Sequence, residues 1–273
     1  MDNLKLKRIR DFLNREIGIF IEDEKLASFN KKLDKLLNKL NMEFEDFYKK
    51  ILLRKDSKLK EELINIVTVN ETYFFREKHQ FDTLINYVLP ELHKIRPKNE
   101  VISILCAPVS TGEELYSIAI YLMEENKLIH ERDFLLLGID IDTNVIEKAK
   151  KGVYSHRSIQ KLPKELIEKY FDKVGDKYIV KDFLRKAVNF KVANVLNTAE
   201  MKRLGEFDVI FSRNMLIYFD EKSKLKVLNN FYTILKDEGY LFLGHAERIP
   251  SSVKLFKMVK IGDSFVYKKC SDC

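Results

Sequence analysis

The stretch from residue 101 to residue 122 reads VISILCAPVSTGEELYSIAIYL. Its first six residues, 101–106, form a short apolar run that is typical of a buried strand. Small and turn-forming residues follow as far as Gly112, and apolar side chains then recur at helical spacing. The stretch therefore predicts a strand, a tight loop and a helix. In an α/β sheet such a unit places free backbone N–H groups at the carboxyl edge, where nucleotide-like ligands bind. An ordinary strand–loop–helix unit without a ligand is the alternative, because the loop contains a single glycine.

The composition predicts a soluble globular protein, with 273 residues, 45% hydrophobic and 33% charged. No apolar run approaches the roughly 20 residues needed to cross a bilayer. The N-terminal residues also lack the apolar core of a secretory signal. We therefore expect a cytoplasmic protein without direct membrane insertion. The net charge of +7 suits nucleic acid, an anionic membrane surface or an acidic protein partner equally well.

Residues 1–69 show helical periodicity only. The segment 25–40 places four leucines on one face and Lys32, Lys35 and Lys39 on another. Two further amphipathic stretches, 44–53 and 59–67, follow it. This pattern predicts a small all-helical N-terminal domain over residues 1–69. Its basic face is either a docking surface for an acidic helical partner or an ordinary solvated face.

The junction that follows, residues 69–81, reads VNETYFFREKHQF. Two adjacent aromatic residues stand beside the polar residues Asn70, Thr72 and Arg76. These polar side chains either face the ligand-binding edge of the sheet or merely cap a helix whose core contains the two phenylalanines.

A second buried strand is predicted over residues 134–139, FLLLGI, and it ends in Asp140. Asp142 and Thr143 are placed to cap the helix predicted over 144–151. An acid at the end of the second strand of a nucleotide-binding βαβ unit can accept hydrogen bonds from ribose hydroxyls. The alternative is that Asp140 only caps or turns the chain.

The rest of the chain completes an α/β pattern. Residues 153–187 break the periodicity and predict a small inserted subdomain. Strands are predicted over 188–192, 207–212 and 240–243, a helix over 222–235 with Gly239 near its C-terminal cap, and a closing hairpin over 254–259 and 264–268. We therefore predict a doubly wound Rossmann-like sheet of five parallel strands with a terminal antiparallel hairpin, the methyltransferase variant of the nucleotide-binding fold.

Five stretches resemble, in order, the motif series of the CheR family, the S-adenosylmethionine-dependent glutamate methyltransferases of bacterial chemotaxis receptors. The stretches are NETYFFRE (70–77), STGEELYSIA (110–119), GIDIDTNVIEKAKKGVY (138–154), FDVIFSRNMLIYFD (207–220) and GYLFLGHAE (239–247). Together with the helical N-terminal domain and the insert they cover nearly the whole chain. One such motif would be weak evidence for the resemblance, but five motifs in the same order are strong evidence.

The resemblance implies S-adenosylmethionine as the cofactor, S-adenosylhomocysteine as the product and no metal. It implies that the cofactor is bound by Asn70, Thr72, Arg76, Glu113, Asp140, Asn194, Val195, Arg213 and Asn214. It also implies a methyltransferase domain over 70–273, with the insert at about 153–187. The partner implied is the cytoplasmic helical domain of methyl-accepting receptors, faced by Lys32, Lys35 and Lys39. We accordingly expect a monomer that associates with membrane receptor arrays and binds no nucleic acid.

The chemistry of such a reaction is consistent with the residues present. A glutamate carboxylate, with a pKa of about 4.3, is already ionised at neutral pH, so its methylation requires no general base. The sequence accordingly identifies no catalytic side chain. Arg76 and Arg213 are candidates for orienting a carboxylate, and Tyr218 is a candidate for lining the site.

The sequence leaves two other functions open, a nucleic-acid methyltransferase and a non-catalytic receptor-docking adaptor. Enzymes that methylate nucleic-acid amino groups usually carry an Asn/Asp-Pro-Pro-aromatic motif at the end of the fourth strand, where this chain has Arg213 and Asn214 followed by Met and Leu. A non-catalytic receptor-docking adaptor would be expected to lose Asn70 or Asp140, and both are present.

Overall fold

The computed structural model describes residues 3–53, 56–125 and 127–270. Residues 1–2, 54–55, 126 and 271–273, which belong to the two predicted domains, lie outside the described residues. In the described ranges, every helix is too short or too polar to cross a membrane.

The N-terminal part consists of helices that pack around a hydrophobic cluster of their own. They are α1 (Asn3–Ile17), α2 (Leu26–Leu40), α3 (Phe44–Leu52) and α4 (Ser57–Val67). The leucine face of α2 is turned inward, as the spacing predicts, with Leu33 fully buried. Asp56 begins α4 by accepting hydrogen bonds from the backbone N–H groups of Lys58 and Leu59. The all-helical N-terminus is confirmed, whereas the domain boundary at residues 69 and 70 stays a prediction.

The described residues form ten strands in two sheets. The strands are β1 (Ile102–Cys106), β2 (Phe134–Asp140), β3 (Val153–Ser155), β4 (Phe171–Val174), β5 (Lys177–Val180), β6 (Asn189–Val192), β7 (Phe207–Ser212), β8 (Leu235–Leu243), β9 (Phe256–Ile261) and β10 (Ser264–Lys269). The large sheet has the order β6-β2-β1-β7-β8-β10-β9. Its first five strands are mutually parallel, and β10 runs antiparallel to both β8 and β9.

Helices connect these strands. They are α5 (Lys78–Thr83), α6 (Leu89–Ile95), α7 (Glu113–Glu125), α8 (Thr143–Lys151), α9 (His156–Ile159), α10 (Lys164–Tyr170), α11 (Asp182–Lys186), α12 (Thr198–Arg203) and α13 (Glu221–Ile234). A π-helical turn, Leu84–Val88, joins α5 to α6, and a 3₁₀ turn, Leu216–Tyr218, follows β7.

Both faces of the large sheet are covered. Along β1, Ile104 packs into one hydrophobic cluster and its neighbour Leu105 packs into the other. Such alternation follows from the two-residue period of a strand, and it explains why the predicted strands are apolar throughout. The predicted fold class, an α/β sheet with a terminal antiparallel hairpin and a helical N-terminus, is confirmed. Within residues 153–187, β3, β5 and β4 form a small antiparallel sheet.

The position predicted for Gly239 is wrong. Helix α13 ends at Ile234, and the chain enters β8 at once, so Gly239 lies inside the strand. Phe207 pairs with Leu235 but Val209 pairs with Tyr240, which leaves extra residues of β8 in a bulge. A Cβ at Gly239 would lie 2.7 Å from the carbonyl oxygen of Lys236. The glycine is therefore required by a close backbone approach in the bulge and does not cap the helix.

Candidate functional site

A cleft opens at the carboxyl edge of the parallel strands, between the sheet and the N-terminal helices. We call it the sheet-edge cleft. The sheet side contributes Pro108, Ser110, Ile139, Asp140, Ile141, Ala193, Asn194, Val195, Asn214, Met215, Tyr218 and Phe219, and the N-terminal side contributes Ile17, Ile19 and residues 67–70. Parallel α/β sheets bind ligands at this edge because the strand ends and loops converge there. The loop after β1 lies at this cleft, as predicted, through Pro108 and Ser110.

Asp140 lies at the base of the sheet-edge cleft and is 5% exposed. One carboxylate oxygen accepts the backbone N–H of Ser110 at 2.9 Å, and the other accepts that of Asp142 at 3.0 Å. Burial raises the pKa of Asp140 to about 6, although the two backbone N–H groups oppose this rise. The carboxylate is thus held rigidly at the end of β2. Asp140 does not cap α8, because Asp142 does so.

The walls of the sheet-edge cleft are mainly apolar. Ile17 and Ile19 face the cleft from the N-terminal helices, and Ile139 and Val195 face it from the sheet. Ile19 also forms an antiparallel bridge with Phe219. The backbone N–H of Phe20 donates to the carbonyl oxygen of Tyr218 at 2.9 Å. The chain after α1 therefore closes one side of the cleft against the 3₁₀ turn after β7.

Asn194 connects the same two parts of the chain. Its side-chain amide donates to the carbonyl oxygen of Glu16 at 2.7 Å, and its side-chain oxygen accepts the backbone N–H of Leu196. Its own backbone N–H donates to Glu200 at 2.9 Å. Asn194 and Val195 are thereby fixed at the end of β6, where both line the cleft.

A second cavity adjoins the first, and we call it the arginine cavity. It is lined by Val69, Glu71, Thr72, Tyr73, Arg76, Phe81, Pro108, Val109, Ser110, Glu114, Arg213 and Asn214. Val69, Pro108, Ser110 and Asn214 line both spaces. The two cavities therefore meet at these four residues.

Arg213 is already neutralised in the arginine cavity. Its guanidinium contacts the carboxylate of Glu114 at 3.0 Å and that of Glu77 at 3.5 Å, and it donates to the carbonyl oxygen of Arg76 at 2.7 Å. Burial raises the pKa of Glu114, and the charge of Arg213 opposes that rise. This cluster holds the end of β7 against the N-terminal end of α7.

Arg76 is differently placed. Within the described part of the chain, its guanidinium makes one hydrogen bond, from Nη1 to the carbonyl oxygen of Glu71 at 3.0 Å. Arg76 is partly exposed to solvent, whereas Arg213 is only 6% exposed. Of the two arginines considered for orienting a carboxylate, Arg76 is therefore the one without an ion pair among the described residues, although its charge, like that of Arg213, opposes the rise in the pKa of Glu114.

Most of the predicted site residues come together. Asn70, Asp140, Asn194, Val195 and Asn214 line the sheet-edge cleft, as does Tyr218, and Thr72, Arg76 and Arg213 line the arginine cavity. Neither Asn70 nor Thr72 caps a helix, because α5 begins after Glu77.

Glu113 differs from the other predicted site residues. It is buried in the first turn of α7, where it accepts a hydrogen bond from the Thr111 hydroxyl at 2.6 Å, and it lines neither cavity. Gly112 does not line them either, and a Cβ at this position would lie 3.0 Å from Ala149 Cβ and 3.0 Å from the Tyr154 hydroxyl. Two left-handed residues line both cavities, Ser110 with φ of 50° and Asn214 with φ of 56°.

The basic face of α2 is partly used within the N-terminal helices. Lys39 pairs with Glu62 of α4 at 3.1 Å, and Lys32 donates to the carbonyl oxygen of Ile66 at 2.9 Å. Lys35 is exposed on the same helix. A partner of negative charge would therefore meet a face on which one of the three lysines is already in an ion pair.

The sequence alone missed several residues of the site. Ile17, Ile19 and Phe219 close the sheet-edge cleft, and Asp142 links it to the segment before α5. These contacts join residues far apart in the chain, so local periodicity carries no signal for them. Asp142 alone had a local signal, as a helix cap.

Comparison with known proteins agrees with this geometry. Residues 70–265 match the family described as CheR methyltransferase, SAM binding domain. The chain belongs to the CheR methyltransferase family. The resemblance seen in the five motifs is thus confirmed, and the chain is a methyltransferase that uses S-adenosylmethionine.

Individual CheR relatives are similar over nearly their full length. Chemotaxis protein methyltransferase 2 of Vibrio cholerae is 36% identical over 264 residues, which cover 96% of this chain and 91% of that protein. The chemotaxis protein methyltransferase of Campylobacter jejuni is 37% identical over 270 residues, covering 97% and 96%. That of Borreliella burgdorferi is 34% identical over 258 residues, covering 92% and 90%.

Proposed function

We propose that this CheR methyltransferase transfers a methyl group from S-adenosylmethionine to glutamate side chains of chemotaxis receptors, which gives glutamate methyl esters and S-adenosylhomocysteine. One observation carries the proposal. The sheet-edge cleft, which suits the cofactor, joins the arginine cavity, which suits a carboxylate, at Val69, Pro108, Ser110 and Asn214. The names of the relatives support chemotaxis proteins as the substrates.

The residues of the sheet-edge cleft fit the cofactor. The Asp140 carboxylate can accept hydrogen bonds from ribose hydroxyls, as acids at this position of nucleotide-binding units do. Ile139, Val195 and Ile17 offer apolar surface for a flat adenine ring. The described residues include no group of three or more His, Cys, Asp or Glu side chains arranged to hold a metal. Because of the Asp140 carboxylate and the apolar surface beside it, we assign the cofactor to this cleft, with Asn70, Asn194 and Asn214 at its rim.

The bound cofactor supplies an activated methyl group on sulfonium sulfur. The chain has to hold an ionised carboxylate in line with that methyl group and to exclude water. We assign the positioning of the carboxylate to Arg76 and the shape of the arginine cavity to the Arg213–Glu114 pair. A general base is unnecessary, since the substrate is ionised at neutral pH.

The partner proposed is the acidic helical bundle of a receptor, which α2 would meet through its basic face. Lys35 would carry most of this contact, because Lys39 is paired with Glu62 and Lys32 contacts the carbonyl oxygen of Ile66. We propose further that the protein acts as a monomer in the cytoplasm at receptor arrays.

The test is transfer of a labelled methyl group from S-adenosylmethionine, with receptor-containing membranes and bulk nucleic acid as parallel acceptors. We expect label in the receptor band, released by mild base as expected of a methyl ester. Label in nucleic acid would contradict the proposal and indicate a nucleic-acid methyltransferase. Cofactor binding without transfer to either acceptor would contradict it in favour of a receptor-docking adaptor.

A further inference from the structure

Glu247, in the turn after β8, is a buried carboxylate that the mechanism above does not use. It is 3% exposed. Both of its oxygens accept backbone N–H groups and no cation pairs with it among the described residues. Oε2 accepts from Asn214 at 2.7 Å and from Gly244 at 2.8 Å, and Oε1 accepts from Met215 at 2.9 Å and from Leu216 at 2.7 Å.

Three of these four donors belong to one loop. This loop, residues 213–216, follows β7 and runs into the 3₁₀ turn that carries Tyr218. Asn214 lines both cavities, and Met215 lines the sheet-edge cleft. Glu247 therefore lies behind the loop that forms the wall shared by the two cavities.

The backbone conformation of the loop directs its N–H groups at Glu247. Asn214, the first of the three donors, has φ of 56°, in the left-handed region that asparagine adopts more often than most other non-glycine residues. Consecutive N–H groups that turn toward one point form a site for an anion, and here Glu247 supplies the anion. Hydrogen bonds from N–H groups to an ionised oxygen are stronger than those to a neutral one.

The turn after β8 is shaped for the same contact. A Cβ on Gly244 would lie 2.8 Å from the Glu247 carboxylate and 3.1 Å from the backbone nitrogen of Asn214. Only a glycine lets the turn approach the loop this closely. Gly244 and Glu247 thus work together, since the backbone N–H of Gly244 is itself one of the four donors.

We propose that Glu247 is a positioning residue for cofactor binding. Its carboxylate fixes the backbone of residues 213–216, and through it the side chains of Arg213 and Asn214 at the junction of the two cavities. The inference rests on the proposed function only in placing the cofactor in the sheet-edge cleft.

The test is the affinity of Glu247→Gln for S-adenosylhomocysteine, measured by calorimetry without receptor. The glutamine side chain keeps one accepting oxygen, but its NH2 group would face backbone N–H groups that need an acceptor. The loop at 213–216 therefore loses part of its hydrogen bonding to residue 247. We expect binding to weaken at least tenfold. Glu247→Asp, which keeps a carboxylate behind the loop, should recover part of the lost affinity and also serves as the test if Glu247→Gln does not fold.

Asp208→Asn is the matched control. Asp208 is fully buried near the amino end of β7 and accepts hydrogen bonds from the backbone and hydroxyl of Ser103, from Arg96 and from Lys236. It lies at the opposite edge of the sheet from the cleft. We expect this variant to lower Tm at least as much as Glu247→Gln and to bind S-adenosylhomocysteine within twofold of wild type.

Two results would overturn the inference. One is wild-type affinity in Glu247→Gln, and the other is an equal loss of affinity in Asp208→Asn, which would mean that general destabilisation is responsible. Failure of the proposed function can be distinguished from failure of this inference. A wild-type protein that binds S-adenosylhomocysteine but methylates no receptor contradicts the proposed substrate. The role of Glu247 is then still decided by the binding data.

Discussion

The side-chain amide of Asn70 donates a hydrogen bond of 2.9 Å to the carboxylate of Asp142. Thr68 donates to the same oxygen at 2.6 Å, and the other oxygen caps α8 by accepting the N–H groups of Asn144 and Val145. The backbone N–H of Asp142 donates to Asp140. Asp142 therefore connects Asn70 to Asp140, two predicted cofactor residues on opposite sides of the cleft. Ser110 makes a second connection, because its backbone N–H donates to Asp140 and its hydroxyl donates to the carbonyl oxygen of Asn70.

We expect Asp142→Ala to lower both stability and cofactor affinity. Loss of the cap costs about 0.5–2 kcal/mol, and each lost tertiary hydrogen bond adds about 0.5–1.5 kcal/mol. With two such bonds, from Asn70 and Thr68, urea denaturation should show a decrease of about 1.5–5 kcal/mol in the free energy of unfolding. Asp56→Ala removes a cap of similar geometry from α4 and is the control. Equal effects of the two substitutions on affinity for S-adenosylhomocysteine would contradict the prediction.

Asp140→Ala should weaken cofactor binding by roughly 10- to 150-fold, since a hydrogen bond to a charged group is worth about 1.5–3 kcal/mol. Glu113→Gln is the comparison, because Glu113 is also a predicted cofactor residue but lines neither cavity. We expect a smaller loss for Glu113→Gln. Calorimetry with S-adenosylhomocysteine measures both, and a larger loss for Glu113→Gln would show that the cofactor reaches the first turn of α7.

Cofactor affinity should fall as the pH drops below about 6. Burial holds the pKa of Asp140 at about 6 in the folded protein, above its ordinary value. Because the folded pKa is raised, the protonated form favours folding at low pH, and that contribution is lost as the pH rises through 6. Binding has the opposite sign, since ribose hydroxyls donate to the ionised carboxylate.

The expected slope is up to tenfold in Kd per pH unit below 6. An α-amino group and an α-carboxylate keep their charges between pH 5 and 7, so the ligand adds little to this slope. Titration of Asp140→Asn over the same range should give a flat profile. A profile in Asp140→Asn as steep as that of the wild type would assign the proton to another group.

The two arginines of the arginine cavity should respond differently to substitution. Arg213→Ala leaves the desolvated carboxylate of Glu114 without its ion-pair partner, which typically costs about 3–5 kcal/mol, so Tm should fall sharply. Glu77 loses the same partner but keeps its contact with His245. Arg76→Ala removes one hydrogen bond to Glu71 and should leave Tm nearly unchanged while methyl transfer falls more than tenfold. Full transfer activity in Arg76→Ala would remove this residue from the proposed site.

Lys35→Glu should impair methylation of receptor without changing cofactor affinity. The substitution reverses an exposed charge on α2, and it alters neither the Lys39–Glu62 pair nor the contact of Lys32. Lys98→Glu changes the net charge equally at an exposed site after α6 and is the control. We expect the KM for receptor to rise in Lys35→Glu only. Unchanged receptor methylation in this variant would contradict the docking face.

The sequence predicts the parts of this fold that depend on neighbouring residues. The apolar run before the loop at 107–112 and the acid after residues 134–139 identify β1, β2 and the cleft edge, because strand burial and strand ends leave a local pattern. The prediction for Gly239 is wrong because a glycine after a helix has the same local sequence pattern whether it caps the helix or permits a bulge in the next strand. Only the pairing of β8 with β7 distinguishes the two.

Residues whose role depends on distant contacts could not be predicted from one sequence. Glu247 lies in a stretch that resembles the family motif, yet nothing local shows that its carboxylate meets a loop 31 to 33 residues earlier. Arg213 is predicted at the site but its neutralisation by Glu114, 99 residues away, is a property of the packed structure. The charge balance of a buried site therefore depends on contacts that form only in the folded chain.

The closure of the sheet-edge cleft by Ile19 and Phe219 has a consequence for the folding of the protein. A molecule in this cleft touches the N-terminal helices on one side and the sheet on the other, so its binding free energy strengthens the docking of the two parts. Without it, the helices contact the rest of the chain through the bridge of Ile19 with Phe219, the hydrogen bonds of Asn194 and Asp142 and the packing of α4 on α8, and we expect them to open before the sheet does. Saturation with S-adenosylhomocysteine should thus make the chain melt as one cooperative unit and protect the segment after α1 from proteases.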